Sequence, residues 1–168
     1  MCIRDSHYGA LQGLDKRETV AQHGEEQVLK WRRGFSIRPP AMALDDPERS
    51  TNHPRYRGLG NMPDTESLAD TLTRVTRWWH EALVPLLTQK KRVLVVAHGN
   101  SLRALVKYID NMSEEDILNF NIPTGIPLIY KLDNQLSPRS RDYLADSEKL
   151  SLAIDEIKNQ VAQDKHQS

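Results

Sequence analysis

The stretch Val93-Leu94-Val95-Val96-Ala97-His98-Gly99-Asn100-Ser101 decides the fold class. An apolar run that is mostly β-branched stops at a histidine and a glycine, and helical spacing follows. This order predicts a strand over 92–97 and a helix over 102–110, with His98 at the carboxyl end of the strand. In open α/β sheets ligands bind there, and the following helix turns its free N–H groups toward them. His98 and Gly99 therefore form a candidate anion site, although a histidine that merely fills such a turn is the more frequent case.

Length and composition predict one soluble globular domain. The chain has 168 residues, of which 38% are hydrophobic and 27% charged, and its formal net charge is zero. This balance gives no general attraction to nucleic acid or to acidic membranes. No apolar run approaches the roughly 18 residues of a membrane span, and no signal peptide is recognisable. The single cysteine, Cys2, forms no internal disulfide, and no cluster has zinc-ligand spacing. We therefore expect a cytoplasmic protein.

Helices alternate with strands along the rest of the chain. The pattern predicts helices over 15–23, 25–33, 65–84 and 147–163, and strands over 126–132 and, more weakly, 141–144. Ser113-Glu-Glu-Asp116 resembles a capping box and predicts a short helix to about Phe120. Pro85 should kink or end the third of these helices. The proline-rich stretch 37–63 predicts a long loop, either a functional lid or a disordered segment. The pattern favours an α/β sandwich with a mostly parallel sheet, but about three good strands are too few for a complete one.

Several cations accompany His98 as candidate anion ligands. Arg32 and Arg33 stand together near a predicted helix end, where both can converge on a carboxylate or phosphate. More often, arginines near a helix end have no ligand and only interact favourably with the helix dipole. Arg103 either reaches a phosphate or is solvated, and Tyr8 and Lys16 are each either anion ligands or ordinary surface residues.

Other polar residues have weaker cases. Asn100 and Ser101 are also good helix N-caps, which is an alternative reason for their presence. The histidines His23, His53 and His80 lack a preceding strand and are more often structural or exposed. Together, one histidine, several cations and a helix N-terminus indicate a small polyanionic substrate. Phosphoryl transfer through histidine would further need a nucleophilic ring nitrogen and a carboxylic acid to protonate the leaving oxygen.

Five strings of sequence closely resemble the 2,3-bisphosphoglycerate-dependent phosphoglycerate mutases of the histidine phosphatase superfamily. They are His7-Tyr-Gly-Ala-Leu-Gln-Gly-Leu, Trp31-Arg-Arg-Gly-Phe35, Ala97-His-Gly-Asn-Ser-Leu-Arg-Ala-Leu105, Asp110-Asn-Met-Ser113 and Asn121-Ile-Pro-Thr-Gly125. The resemblance covers about residues 7–150. It implies a three-layer α/β/α sandwich with a mostly parallel sheet. It also implies a cytoplasmic enzyme of glycolysis and gluconeogenesis that is a homo-oligomer when full length.

The resemblance further implies a reaction and a set of site residues. The family interconverts 2-phosphoglycerate and 3-phosphoglycerate through a phosphohistidine that 2,3-bisphosphoglycerate primes, and it needs no metal. His98 resembles the second active-site histidine, which contacts the transferring phosphoryl group. The residues that match the family's substrate contacts are Tyr8, Lys16, Arg32, Arg33, Gly99 and Asn100.

The chain departs from the family in two places. The nucleophilic histidine lies in an Arg-His-Gly motif in the family, and no Arg-His-Gly occurs in this sequence. The position of the family's acid glutamate is occupied by Asp5, within a hexapeptide over 1–6 that does not resemble the family. We interpret 1–6 as foreign sequence joined at a truncation, 7–150 as a partial mutase-like domain and 151–168 as a C-terminal helix and tail.

Three functional hypotheses follow from these departures. The first is a C-terminal fragment of a phosphoglycerate mutase, which by itself has no mutase activity. The second is a catalytically dead anion-binding module, and the third is a phosphatase of the same superfamily with water as the acceptor. A sheet without its first strand would expose an unpaired edge and an apolar face, so we also expect a poorly soluble or partly molten product.

Overall fold

The computed structural model describes residues 7–47, 49, 51–52, 54–56 and 62–162. In these ranges the helices are α1 Lys16–His23, α2 Glu25–Arg33, α3 Leu68–Trp78, α4 Val84–Thr88, α5 Gly99–Ile109, α6 Glu114–Asn119 and α7 Ser147–Ala162. The strands are β1 Leu128–Leu132 and β2 Pro138–Tyr143, and short 3₁₀ turns span Gly9–Leu11 and Pro54–Tyr56. The chain is therefore a mixed α and β structure in which helices predominate.

Side-chain caps fix where several helices begin. Asp15 accepts hydrogen bonds from the main-chain N–H groups of the first turn of α1. Ser67 and Asp70 form a reciprocal capping box at the start of α3, and Ser113 caps α6 by accepting from the N–H of Asp116 at 3.0 Å. Each cap satisfies donors that the first helical turn leaves without intrahelical partners. The cap predicted at Ser113 is confirmed.

The core lies between α3, α5 and α6. It consists of the buried side chains Leu68, Val75, Trp79, Leu83, Ala104, Leu105 and Ile117. The apolar spacing that predicted the long helix puts these α3 side chains on one face, and that face packs on α5. Ala104 is 0% exposed, so its small side chain allows close approach of the two helices.

Pro85 does not end the long helix. A π-helical segment, Trp79–Leu83, leads from α3 into α4, and Pro85 lies in the first turn of α4. Proline has no N–H to donate and its ring crowds the preceding turn, so a local change of helical pitch accommodates it. The predicted single helix over 65–84 is thus a helix, a π-helical segment and a further short helix.

The described sheet is smaller than the predicted one. The β1 and β2 strands pair antiparallel, with Leu128 opposite Tyr143 and an irregularity between Lys131 and Leu132. The predicted strand over 92–97 joins no ladder among the described residues. Its alternation is nonetheless present, because Val93 and Val95 pack against the core while the next side chains along point to solvent. The described residues therefore do not show the three-layer parallel sheet.

The exposed face of the 92–97 segment is strongly apolar. Leu94 is 84% exposed and Val96 is 85% exposed. No main-chain hydrogen bond involves 93–97 within the described part of the chain. Among the described residues this run has no neighbouring strand, and it therefore lacks the pairing that would define it as a strand.

The proline-rich stretch contains only the turn Pro54–Tyr56 as regular structure among its described residues. Hydrogen bonds of other kinds hold it locally. Asn52 Nδ2 donates to the carbonyl oxygens of Leu44 and Asp46, at 2.8 and 2.9 Å, and Arg49 pairs with Asp64 through two bonds. The predicted loop is thus confirmed in its described parts. Within the described residues, no helix is both long and apolar enough to cross a membrane.

Candidate active site

Three separate segments carry the candidate site. They are the C-terminal end of α2, the N-terminal half of α5, and α6 with the residues just after it. Arg33 is the last residue of α2, Asn100 lies in the first turn of α5, and Asn121 follows α6. Side-chain hydrogen bonds join all three segments.

The end of α2 is docked by the residues that follow its arginines. Gly34 ends the helix, and a Cβ there would lie 2.2 Å from the carbonyl oxygen of Lys30, so no other residue fits this conformation. The carbonyl oxygen of Phe35 accepts from the N–H of Ala69 in α3 at 2.9 Å. The Phe35 ring lies under the Lys107 ammonium, 4.7 Å from nitrogen to centroid. The string Arg-Gly-Phe therefore fixes Arg33 relative to α3 and α5.

Arg103 joins the three segments with one guanidinium group. Its Nη2 donates to the carbonyl oxygen of Ile117 in α6 at 2.6 Å and to that of Arg33 at 3.3 Å. Its Nη1 lies 3.4 Å from Oδ1 of Asn100. Arg103 is only 5% exposed, and its buried Nε has no hydrogen-bond partner among the described residues. The side chain is thus interior, contrary to the solvated alternative.

Asn121 completes the contacts around Arg33. Its Oδ1 accepts a short hydrogen bond from Nη1 of Arg33, and its Nδ2 donates to the carbonyl oxygen of Asn119 at 3.2 Å. The Asn119 contact orients the amide so that its oxygen faces the guanidinium. Asn121 is 7% exposed and Arg33 is half-buried, so this contact is partly shielded from solvent.

Positive charge accumulates here without a carboxylate to neutralise it. Within the described residues, neither Arg33 nor Arg103 forms an ion pair. Other arginines of the chain do pair with acids, in the pairs Arg38–Asp70, Arg49–Asp64 and Arg74–Glu66. Buried charges are normally paired, so two adjacent guanidinium groups with only neutral partners indicate a place for an external anion.

Burial and repulsion between neighbouring cations lower the pKa values of both Arg33 and Arg103. Burial, followed by repulsion from Arg33, lowers the pKa of Arg103 to about 10. Burial, followed by repulsion from Arg32, lowers the pKa of Arg33 below its ordinary value. Both groups remain cationic near neutral pH, and both would gain from a nearby anion.

His98 lies at the N-terminus of α5, which begins at Gly99 rather than at the predicted residue 102, and the predicted strand before it joins no ladder among the described residues. It is the N-cap residue, with extended backbone angles of φ −68° and ψ 155°, and its side chain makes no capping hydrogen bond. His98 is exposed, and Gly99 and Asn100 form the first turn of the helix beside it. The main-chain N–H groups of a first helical turn and the helix dipole favour an anion at this end. Ser101 is buried in the same turn and is not an N-cap.

The remaining predicted contacts differ in what the structure describes. Tyr8 is half-buried and interacts electrostatically with both Arg33 and Arg103, which places it beside the site. Arg32 is also half-buried and contributes to the charge around Arg33. Lys16 opens α1, but the structure describes only its backbone, and Asp5 lies outside the described residues.

The backbone around Tyr8 is held closely. Gly9 has φ +59°, and a Cβ there would lie 2.1 Å from the carbonyl oxygen of Pro40. The N–H of Ala10 donates to that same oxygen at 2.8 Å. His7 is buried, and its main-chain N–H donates to Oε2 of Glu66 at 3.1 Å. These contacts fix the turn from which the Tyr8 side chain extends.

Sequence reasoning did not assign a site role to Asn121 and left Arg103 open. Asn121 belongs to a string that is typical of a turn, and nothing in the neighbouring sequence indicates that its amide contacts Arg33. Arg103 lies two residues after Ser101 on the face of α5 that also carries buried apolar side chains. A charged residue on an otherwise apolar helix face was the signal that could have identified it.

A model of a known family matches part of this chain. Residues 41–135 match the model of the histidine phosphatase superfamily (branch 1), which is more than half of the chain. The chain therefore belongs to this superfamily, whose members are phosphatases and phosphotransferases. The matched range includes His98, Gly99, Asn100, Arg103 and Asn121. The strings that carry Tyr8 and the Arg32–Arg33 pair lie before it.

Proposed function

We propose that the chain is the C-terminal part of a 2,3-bisphosphoglycerate-dependent phosphoglycerate mutase that acts in the cytoplasm. The proposal includes the three-layer parallel sheet for the complete domain and the division at 1–6, 7–150 and 151–168. One observation carries it. The side chain of Arg103 joins the end of α2, which bears Arg32 and Arg33, to the turn that bears His98, Gly99 and Asn100. Two strings that resemble the mutases thus form one cationic site.

In the proposed reaction the substrate is a small phosphorylated carboxylate. Arg32 and Arg33 bind its negative groups, since a guanidinium fork matches both carboxylate and phosphate. His98 and the N–H groups at the start of α5 contact the phosphoryl group, and Asn100, Tyr8 and Lys16 orient the rest. 2-Phosphoglycerate, 3-phosphoglycerate and the primer 2,3-bisphosphoglycerate are the expected ligands, and no metal is needed. We expect a homo-oligomer for the full-length enzyme.

The 168-residue chain by itself should bind substrate without converting it. Its sequence contains no Arg-His-Gly, so the ring nitrogen that would carry the phosphoryl group is not supplied. The same observation favours the alternative of a catalytically inactive anion-binding module. A phosphatase of the superfamily would need the same missing nucleophile, so it gains nothing from this observation.

Calorimetric titration with 3-phosphoglycerate tests the proposal. We expect saturable binding to the purified chain, and a loss of at least about tenfold in affinity for Arg33→Gln, since a lost hydrogen bond to a charged group is worth about 1.5–3 kcal/mol. The control Arg77→Gln removes the same charge from the exposed pair with Glu81, and it should change affinity little. The absence of 3-phosphoglycerate binding would contradict the proposed substrate.

A coupled assay for interconversion of the two phosphoglycerates, with 2,3-bisphosphoglycerate present, tests the prediction of inactivity. Turnover that His98→Ala abolishes would overturn it. Binding of inorganic phosphate but not of 3-phosphoglycerate would favour the anion-binding module over the mutase.

A further inference from the structure

The resemblance on which the proposed function rests assigns no site role to Arg103, although Arg103 lies in one of the matching strings. Its position differs from that of a substrate contact, because it lies inside the junction of α2, α5 and α6. Two of its hydrogen bonds go to main-chain oxygens, those of Arg33 and Ile117. The third contact is with Asn100, next to the candidate histidine turn. One side chain therefore touches α2, α6 and the turn next to His98.

We propose that Arg103 is a positioning residue of the anion site, which orients Arg33 and Asn100 and adds a buried positive charge beside the half-buried Arg33. This inference rests on the proposed anion site and goes beyond its predicted ligands. It commits to a ligand class, namely small anions that carry a phosphate dianion, for which two adjacent cations are better than one.

The geometry explains why an arginine is used at this position. The guanidinium group of Arg103 contacts carbonyl oxygens of two other helices, α2 and α6. It also contacts the amide oxygen of Asn100, in its own helix α5. A planar fork presents donors in several fixed directions, whereas a lysine ammonium is a point charge on a flexible stem. The fork therefore holds the carbonyl oxygen of Arg33, and with it the direction of the Arg33 side chain, relative to Asn100.

The charge of Arg103 has a separate consequence. Burial of a cation is unfavourable unless it is compensated, and the partners of Arg103 in the described structure are neutral oxygens. Its neighbour Arg33 adds repulsion. A dianion bound near Arg33 relieves this repulsion and attracts both cations, and low local polarity strengthens the attraction. A ligand with a single negative charge gains less from the second cation.

Two variants separate orientation from charge. Arg103→Lys keeps the positive charge but loses the fork, and Arg103→Met loses both while keeping a long side chain. Affinities for 3-phosphoglycerate and for glycerate, which lacks the phosphate, are measured at one pH and ionic strength. We expect Arg103→Lys to weaken 3-phosphoglycerate binding by at least about tenfold. We expect Arg103→Met to weaken it at least as much and also to reduce the preference for 3-phosphoglycerate over glycerate.

A merely structural role would weaken both ligands by the same factor, because a loosened site loses every contact alike. Arg77→Met is the matched control, since it removes one positive charge from an exposed helix position. It should leave both affinities within about twofold. An Arg103→Met protein that keeps the wild-type affinity or the wild-type preference would overturn the proposal. If that variant does not fold, wild-type affinity in Arg103→Lys would overturn it instead.

The design distinguishes this inference from the proposed function. Wild-type binding of inorganic phosphate without binding of 3-phosphoglycerate contradicts the mutase, and the Arg103 variants are then compared with inorganic phosphate and formate. If the wild type binds 3-phosphoglycerate and the Arg103 variants bind it equally tightly, the positioning role is contradicted and the mutase proposal stands.

Discussion

The hydroxyl of Tyr143 donates to the main-chain oxygen of Asn121 at 2.6 Å. This bond links the end of β2 to the residue whose side chain holds Arg33. The hairpin of β1 and β2 is also attached at Asp110, which accepts from the Tyr130 hydroxyl at 3.1 Å and pairs with Arg141. The small sheet thus supports the site from behind, although none of its own residues is a candidate ligand.

Removal of the Tyr143 hydroxyl should weaken this support. In Tyr143→Phe the Asn121 oxygen loses its donor in a half-buried environment, which should cost about 1–2 kcal/mol in the free energy of unfolding. Urea denaturation followed by circular dichroism measures the change. Leu144→Ala, at a neighbouring side chain that is 64% exposed, should stay within about 0.5 kcal/mol. Equal stabilities for Tyr143→Phe and the wild type would show that the bond contributes nothing.

Ile117 should be among the most sensitive core positions. Its side chain is 0% exposed, and its carbonyl oxygen accepts from Arg103. Ile117→Ala leaves a cavity and should lower the free energy of unfolding by about 2–5 kcal/mol. Leu118→Ala is the control, because the adjacent side chain is 40% exposed and lies outside the core cluster. Thermal melting of the two variants side by side should show a large difference, and similar losses would place the core elsewhere.

The start of α3 should make stability depend on acid. Hydrogen bonds from Arg38, with further help from Ser67, hold the pKa of the Asp70 carboxyl well below its ordinary value of 3.8. A lowered folded-state pKa stabilises the fold above the unfolded pKa, and this stability is lost as pH falls through the folded pKa. Stability should therefore decline as the pH drops below about 4. We expect Asp70→Asn to have a lower free energy of unfolding near neutral pH. We also expect its free energy of unfolding to fall less steeply than that of the wild type as the pH drops.

Urea midpoints measured between about pH 5 and pH 2.5 test this expectation. Asp142→Asn serves as the control, because it removes an exposed carboxylate from β2 and leaves the α3 cap intact. The urea midpoint should change less steeply with pH in Asp70→Asn than in Asp142→Asn over this range. A slope for Asp70→Asn that matches the wild type would mean that other carboxylates cause the acid sensitivity.

Local sequence patterns predicted the helices well because their causes are local. Apolar spacing and the caps at Asp15, Ser67 and Ser113 lie within a few residues of the elements they determine. The strand β2 was only partly predicted, since Pro138-Arg-Ser-Arg carries no apolar alternation. Its pairing depends on β1 and on a turn in which Asp133 accepts from two N–H groups.

Non-local contacts limited the prediction of the site. The bond between Arg103 and the Arg33 oxygen spans 70 positions in sequence, and the Arg33–Asn121 contact spans 88. No periodicity or spacing rule connects residues so far apart. Residue types and the resemblance to a family supplied the individual candidates, Arg103 among them, but neither predicted that Arg103 is buried and joins the others. The prediction of a strand over 92–97 met the same limit. A strand requires a partner elsewhere in sequence, and this segment pairs with none among the described residues.

That unpaired segment should control self-association. Leu94 and Val96 are largely exposed, and the main-chain groups of 93–97 have no ladder partner within the described ranges. Exposed apolar edges of this kind associate with one another, and charged side chains prevent it. The double substitution Leu94→Lys with Val96→Lys should lower the concentration-dependent light scattering of the chain. It should leave the free energy of unfolding nearly unchanged, because neither side chain packs in the core.

The matched control is Leu144→Lys with Leu152→Lys, which adds the same charge at side chains that are 64% and 62% exposed. A general effect of net charge on solubility would act equally in both proteins. We expect the control to scatter light nearly as much as the wild type at each concentration. Equal reduction in both double variants would trace the improvement to net charge, and the segment over 93–97 would then have no special part in association.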